Sequence, residues 1–274
     1  MNKELITILT VNYNTADFID LMLYAFKKLT KNFYKVIICD NGSNDEELVK
    51  LAKVIRKYEN IEVLFRVQSK VGSVGHAEAV DILIDKVNTR YTVVMDSDCT
   101  FLMNNWDEYL ISKLNDKIKI VGTPRQPKNT SNKIIKKIYA NFPAPYAVLF
   151  DTYIYRQLHI SCMPGNIQEG KDTVWEWRGK FEQAGYGGYS FDMINTRFNI
   201  NTLFQKTLCA VYVDNNSLIA SHFGRGSSGG NAKYKNWYYW RIPLLSKYLI
   251  MQKSISEKDI WINKSKSIIN LKVE

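Results

Sequence analysis

The chain has 274 residues, 46% apolar and 13% aromatic, which is enough for a large core and too apolar for a disordered segment. Lys plus Arg number 37 against 27 Asp plus Glu, and the formal charge of +10 favours anionic partners: nucleotides, phosphates or an acidic membrane surface. No apolar run is long enough to cross a bilayer, no motif points to specific nucleic-acid binding, and four scattered cysteines without a Cys-x-x-Cys pair fit free thiols in a reducing cytoplasm.

The first residues run straight into a strand pattern, so no cleavable leader is expected. Residues 5–11 read as a short buried strand, ended by Asn12-Tyr13-Asn14-Thr15. Phe18, Leu21, Met22, Ala25, Phe26 and Leu29 recur at helical spacing, predicting a helix over 16–29 with Thr15 as N-cap. A second buried strand over 34–39 stops at Asp40-Asn41-Gly42-Ser43-Asn44-Asp45, and a helix over 46–58 follows. A third strand spans 61–67, Gly72 and Gly75 mark a loop, and a helix covers 76–86. The strand over 91–95 then runs directly into Asp96-Ser97-Asp98.

Repeated strand–helix alternation with short connections predicts a parallel, doubly wound α/β sheet, whose ligands bind outside the carboxyl ends of the strands. The clusters at 12–14, 40–43 and 96–98 all fall at such ends. Two carboxylates one residue apart project to the same side of an extended backbone, where they repel unless a cation or protons relieve them. A hard divalent ion with oxygen ligands suits that pair. The plainer alternative makes one aspartate a helix cap and the other a solvated group, and Asp40-Asn41-Gly42-Ser43 also fits an ordinary turn. Three such clusters at one edge of one sheet argue for a site.

Val11-Asn12-Tyr13-Asn14-Thr15, Cys39-Asp40-Asn41-Gly42-Ser43-Asn44-Asp45 and Asp96-Ser97-Asp98, in that order and spacing, resemble the family 2 glycosyltransferases of the GT-A fold over residues 1–100. Gly75-His76-Ala77-Glu78-Ala79-Val80-Asp81 is similar to the family's Gly-x-Ala-x-Ala-x-Asn pattern, with Asp81 in the place of Asn. The resemblance implies a Rossmann-like, mostly parallel central sheet with a smaller acceptor-side region and a C-terminal helical extension. The corresponding division is 1–230, with a nucleotide-binding half 1–100 and an acceptor half 101–230, followed by a basic, aromatic extension 231–274. It implies that Asn12, Tyr13 and Asn14 line a nucleoside pocket, with Asn41, Gly75 and Ser97 beside it. Asp40 would accept a hydrogen bond from the base, as the imide N–H of uracil offers. Asp98 would hold Mn2+ or Mg2+ under the donor diphosphate, and Asp96 would serve the metal and the donor ribose or sugar.

The second half is less regular. A helix is expected over 106–114, a strand over 117–122, a polar, basic loop over 123–137, and an aromatic strand leading into a turn over 146–158. Gly170-Lys171-Asp172-Thr173 is read as opening a helix that carries Val174, Trp175, Trp177 and Phe181. Related enzymes place an acidic base there, often in a Glu-Asp pair; Asp172 matches, with Lys171 in the place of Glu. Glu169 and Glu176 are rivals, and a carboxylate in a first helical turn is also ordinary capping. Strands over 208–213 and 218–220 precede Ser221-His222-Phe223-Gly224-Arg225-Gly226-Ser227-Ser228, a loop whose N–H groups could cradle phosphate. The resemblance implies His222 as a late metal ligand, with Arg225 and Ser228 near the diphosphate; His76 and His159 receive no role. The basic, aromatic stretch 234–250 reads as packing on the sheet, with an anionic membrane surface and a homodimer seam as the other uses it fits. Residues 253–274 read as a peripheral helical tail.

The implied function is metal-dependent, inverting transfer from a nucleotide-sugar, a UDP-sugar in the first instance, to a hydroxyl of a glycan, lipid-linked or protein acceptor. The implied setting is the cytoplasm, including the inner membrane surface. A sugar-phosphate nucleotidyltransferase is a second reading, but it wants a Gly-rich, basic loop after the first strand, where Asn12-Tyr13-Asn14-Thr15 stands. A non-catalytic carbohydrate- or membrane-binding module would explain the aromatics but not three polar strand ends.

Overall fold

The computed structural model describes residues 6–67, 72–126, 131–196, 203–205, 207–227 and 243–273, the last with side chains from residue 255. Strands β1 (Ile6–Asn12), β2 (Tyr34–Asp40), β3 (Ile61–Phe65) and β4 (Tyr91–Asp96) alternate with helices α1 (Ala16–Leu29), α2 (Asp45–Ile55) and α3 (Ser73–Asp85). There follow β5 (Cys99–Phe101), α4 (Trp106–Lys113), β6 (Ile118–Pro124), α5 (Lys133–Tyr139), β7 (Pro143–Asp151) and α6 (Thr152–Gln157). The remaining elements are α7 (Trp177–Gln183), β8 (Gly187–Ser190), β9 (Asp192–Asn195), β10 (Ala210–Asp214), β11 (Ser217–His222) and α8 (Pro243–Leu271).

The main sheet runs β3-β2-β1-β4-β7-β6-β8, with β1 to β4 mutually parallel, β6 parallel to β8, and β7 antiparallel to both its neighbours. This is the mostly parallel, doubly wound sheet that the alternation predicts. A second, antiparallel sheet, β5-β11-β10-β9, begins immediately after β4. Ser97 and Asp98 are the corner between the two.

Side chains alternate across the main sheet, and both faces are covered, so its central strands read as continuous apolar runs. Ile6, Ile8, Val36, Ile38, Val93 and Met95 face a core with α1, α4, the second sheet and Trp261 of α8. Leu9, Val11, Ile37, Cys39 and Val94 face the other core, with Ala77, Val80 and Leu83 of α3, Tyr155 of α6 and Trp177 of α7.

Several boundaries differ from the sequence reading for local reasons. Part of the expected loop over 123–137 is α5, capped by Asn132, whose side chain accepts from the Ile135 N–H. The aromatic segment from 146 belongs to β7, after which Asp151 caps α6 by accepting from Ile154. The helix expected from Gly170 begins only at Trp177, because Gly170 at φ 78° closes a 3-10 turn and Val174 at φ 58° stands outside helical geometry. Thr15 heads α1, yet its hydroxyl donates to Asn12 Oδ1 (2.8 Å) and lies 3.0 Å from Ser97 Oγ instead of capping the helix. The expected peripheral tail is not peripheral: residues 253–271 complete α8, whose Trp261, Ile268 and Ile269 are buried against the α1 side of the core. Of the stretch 234–250, residues 234–242 lie outside the described residues and the rest opens α8. Among the described residues no helix is long and apolar enough to cross a membrane.

Candidate active site

At the carboxyl end of β4 the chain turns through Ser97 and Asp98 into β5. Because β5 pairs with β11, Cys99 stands opposite His222, and the imidazole is carried against the carboxylates that precede it. His222 Nε2 lies 3.0 Å from Asp98 Oδ1 and 3.5 Å from Asp96 Oδ2. One ligand atom from each of Asp96, Asp98 and His222 lies within 4.8 Å of the others.

Both carboxylate oxygens of Asp98 are engaged. Its Oδ2 accepts the backbone N–H groups of Arg225 and Gly226, both at 2.7 Å, and its carbonyl accepts from Phe223 at 2.9 Å. Burial pushes its pKa upward, but the facing His222 and the two N–H donors outweigh that and hold it well below the usual carboxylate range. Asp96 moves the other way: burial raises it, with Asp98 adding to the rise and His76 and His222 opposing it. A carboxylate in that position gains from a cation, and two carboxylates with an imidazole form a donor set that a divalent ion accepts. The residues present therefore fit a metal.

The cluster forms part of the wall of a cavity of about 610 Å³, within the usual size for a small-molecule site. Val11, Tyr13, Asn41, Gly72, Ser73, His76, Ser97, Pro145, Tyr146, Thr173 and the loop 224–227 contribute the rest of its lining. Tyr146 stacks on His222, with ring centroids 4.7 Å apart. Burial pushes its phenol up to about 12, so it stays a neutral donor at physiological pH.

A family model described as Glycosyl transferase family 2 matches residues 7–197, more than half of the chain. The chain belongs to that family. A teichoic acid poly(glycerol phosphate) polymerase of Staphylococcus epidermidis is 29% identical over 99 residues, 36% of this chain and 13% of that protein. Among solved structures, the mannosyltransferase PcManGT of Pyrobaculum calidifontis, in complex with GDP-Man and Mn2+, superposes with a TM-score of 0.52 at 15% identity. That match covers 69% of this chain and 55% of the other. GalNAc-T7 with UDP, GalNAc and Mn2+ superposes with a TM-score of 0.50 at 13% identity, over 70% of this chain and 45% of the other. The chain thus spans 13% of the length of the polymerase and about half the length of the two structural relatives. The shared architecture is the GT-A fold.

Within this family 2 chain the expected site residues separate into two groups. Tyr13, Asn41, Asp96, Ser97, Asp98 and His222 line the cavity. Asn12 and Asp40 do not. They are cross-strand partners on the α1 face, and Asn12 Nδ2 donates to Asp40 Oδ2 at 2.7 Å. Asp40 Oδ1 accepts from the N–H groups of Gly42 (3.2 Å) and Ser43 (3.0 Å), which leaves the side chain turned into its own loop and 2% exposed. In this structure the carboxylate of Asp40 helps to build its own loop. Asn14 similarly ties loops together, its N–H donating to Ser43 Oγ and its Oδ1 accepting from Asn44. Gly75 is buried in α3 and offers its carbonyl to Asn41 Nδ2 at 3.2 Å. Asp81, in the Asn place of the family pattern, accepts from Ser161 Oγ and the Cys162 N–H, and so anchors α3 to that segment.

The guanidinium of Arg225, expected at the diphosphate, is instead buried against Glu257 of α8 (2.9 Å) and the Leu208 carbonyl (3.0 Å). What Arg225 gives the cluster is its backbone N–H. Ser228 lies outside the described residues. Asp172 sits in the turn before α7, its Oδ2 2.6 Å from Arg125 and its Oδ1 accepting from the Thr173 N–H. Burial raises its pKa, but the bonds from Arg125 and Thr173, with a further one from Ser73, hold it below the ordinary range. Of its rivals, Glu176 accepts from the Ser161 N–H and Glu169 pairs with Lys171.

His76, given no role from the sequence, stands with Nε2 3.5 Å from Asp96 Oδ1 and lines the cavity. Its signal was its position in the first turn of the helix that leads back into β4. Tyr146 and Arg125 carried no sequence signal of their own. Arg125 lies under the face of Tyr139, 4.5 Å from the ring centroid, and touches the expected base.

Proposed function

We propose that the chain is a divalent-metal-dependent, inverting glycosyltransferase that uses a nucleotide-sugar donor. The observation that carries this reading is the Asp96–Asp98–His222 cluster in the wall of a cavity at the carboxyl end of β4. Asp96, Asp98 and His222 would hold the ion, and Mn2+ accepts both oxygen and imidazole ligands. When bound, such an ion neutralises the negative charge of a departing nucleoside diphosphate.

The chain's own residues supply alignment and proton movement. Tyr13, 37% exposed at the cavity edge, offers a ring on which a base can stack, and Asn41 offers a polar side chain beside it. Asp172 is the carboxylate of choice for the base, because its neighbours Ser73 and Thr173 both line the cavity. Ionised at neutral pH beside Arg125, it takes the proton of the acceptor hydroxyl. The acceptor oxygen bonds to the anomeric carbon as the bond from that carbon to the diphosphate oxygen breaks on the opposite side, which inverts the centre. A UDP-sugar is the first donor to test; GDP-sugars are the second, since the relatives above include complexes with either nucleotide.

Calorimetric titration of UDP and GDP, with and without Mn2+, tests the reading on the native chain and on Asp98→Ala. Metal-dependent binding of one nucleotide, lost in the variant, is the expected result. Equal binding by both proteins, or none by either, refutes it.

A further inference from the structure

The loop that holds Asp98 is itself held by the C-terminal helix. Glu257 and Trp261, four residues apart, share one face of α8. Glu257 Oε2 lies 2.9 Å from Arg225 Nη2, with the two side chains 7% and 1% exposed. The same oxygen accepts from the Leu208 N–H at 3.4 Å, while the Leu208 carbonyl accepts from Arg225. The guanidinium also lies over the face of Phe223, 4.0 Å from its centroid. One turn further along α8, Trp261 Nε1 donates to Ser221 Oγ at 2.9 Å. The helix therefore grips Ser221 and Arg225, on either side of His222.

Desolvating an ion pair costs as much as it returns, and apolar residues of similar size pack at least as stably. A buried Glu–Arg pair at this point thus does little for stability that leucine and methionine would not do. What it adds is direction: it fixes the guanidinium, and through it the backbone whose N–H groups at 225 and 226 meet Asp98 Oδ2. Supports of this kind behind a metal ligand set its affinity.

We infer that α8 is a clamp on the metal-holding loop, with Glu257 a positioning residue that acts through Arg225 on Asp98; this rests on the metal reading above. Loosening the clamp leaves Asp96, Asp98 and His222 in the chain but no longer converging on one point.

The test is Mn2+ titration into the full chain, followed by electron paramagnetic resonance of the free ion, with and without UDP. Glu257→Gln is expected to raise the Mn2+ Kd by about 10- to 100-fold. A second variant joins Arg225→Met to Glu257→Leu, keeping apolar packing without charge, and carries the test where the first fails to fold. It is expected to melt near the native temperature and to bind Mn2+ as weakly as Glu257→Gln. Ile269→Ala, a cavity three turns along the same helix, lowers the melting temperature but keeps the native Mn2+ Kd. Native Mn2+ affinity in either folded Glu257 variant overturns the clamp and leaves the metal reading standing. An affinity that falls in Ile269→Ala in step with its melting temperature also overturns the clamp. Absence of Mn2+ binding by the native chain overturns the metal reading and the clamp together.

Discussion

Gly226→Ala tests how the Asp96–Asp98–His222 cluster is built. A Cβ placed on Gly226 would lie 2.9 Å from Asp98 Cβ and 3.2 Å from both Cγ and Oδ2. Those are atoms of a buried side chain bonded through both its oxygens, so either the loop or the carboxylate must retreat by several tenths of an ångström. The retreat falls on the two 2.7 Å bonds from the 225 and 226 N–H groups and on the 3.0 Å contact with His222. A hydrogen bond to a charged group contributes about 1.5–3 kcal/mol, so losing one such bond weakens Mn2+ binding by about 10- to 100-fold. The assay is the Mn2+ Kd, measured beside the thermal melting temperature. Gly179→Ala, the same change where nothing lies within 4 Å, is the control and should bind Mn2+ as the native chain does. Gly226→Ala binding Mn2+ within twofold of native would refute the idea that Asp98 depends on this close approach.

Asp172→Asn removes the proposed base while keeping its shape, and should lower turnover by about 10²- to 10⁴-fold with metal-dependent nucleotide binding intact; rapid turnover by the variant would hand the role to another group. Asp214 gives a pH prediction away from the cavity. It accepts from the hydroxyls of Tyr109 (2.7 Å) and Tyr189 (2.9 Å) and pairs with Lys113 (3.1 Å). Burial raises its pKa, but these partners outweigh that and hold it below the ordinary value. A depressed carboxyl contributes stability that is present above its unfolded pKa and lost as pH falls through the folded one. The melting temperature of the native chain should therefore drop below about pH 4, where Asp214→Asn, less stable at neutral pH, loses less. Parallel acid-side curves for the two proteins would count against it.

Much of the site was legible before the fold was known, for a physical reason. A strand that ends in Asp-Ser-Asp brings two anions to one side of the backbone, so Asp96 and Asp98 were legible from the chain alone as a candidate cation site. His222 was reachable through the Gly/Ser-rich loop that follows it, although nothing in the sequence says that β11 pairs with β5 and so carries the imidazole to Asp98. Asp172 was legible as a candidate and its partner was not: Arg125 lies 47 residues away, and only the packing of the segments after β6 and before α7 brings them to 2.6 Å.

The sequence by itself determined the strand–helix alternation, and with it which residues stand at the carboxyl edge of the sheet. It could not determine which face of the sheet each of them takes. Pleating alternates with every residue, and the pairing register decides which parities stand side by side. That register sets Asn12 beside Asp40 on the α1 face, where they bond to each other, and Val11 beside Asp96 on the face that opens into the cavity. The same contrast holds at the C-terminus. The sequence of residues 253–274 gives a helix, but only the tertiary structure buries Trp261 and joins Glu257 to Arg225, because a contact across tens of residues depends on where whole elements pack.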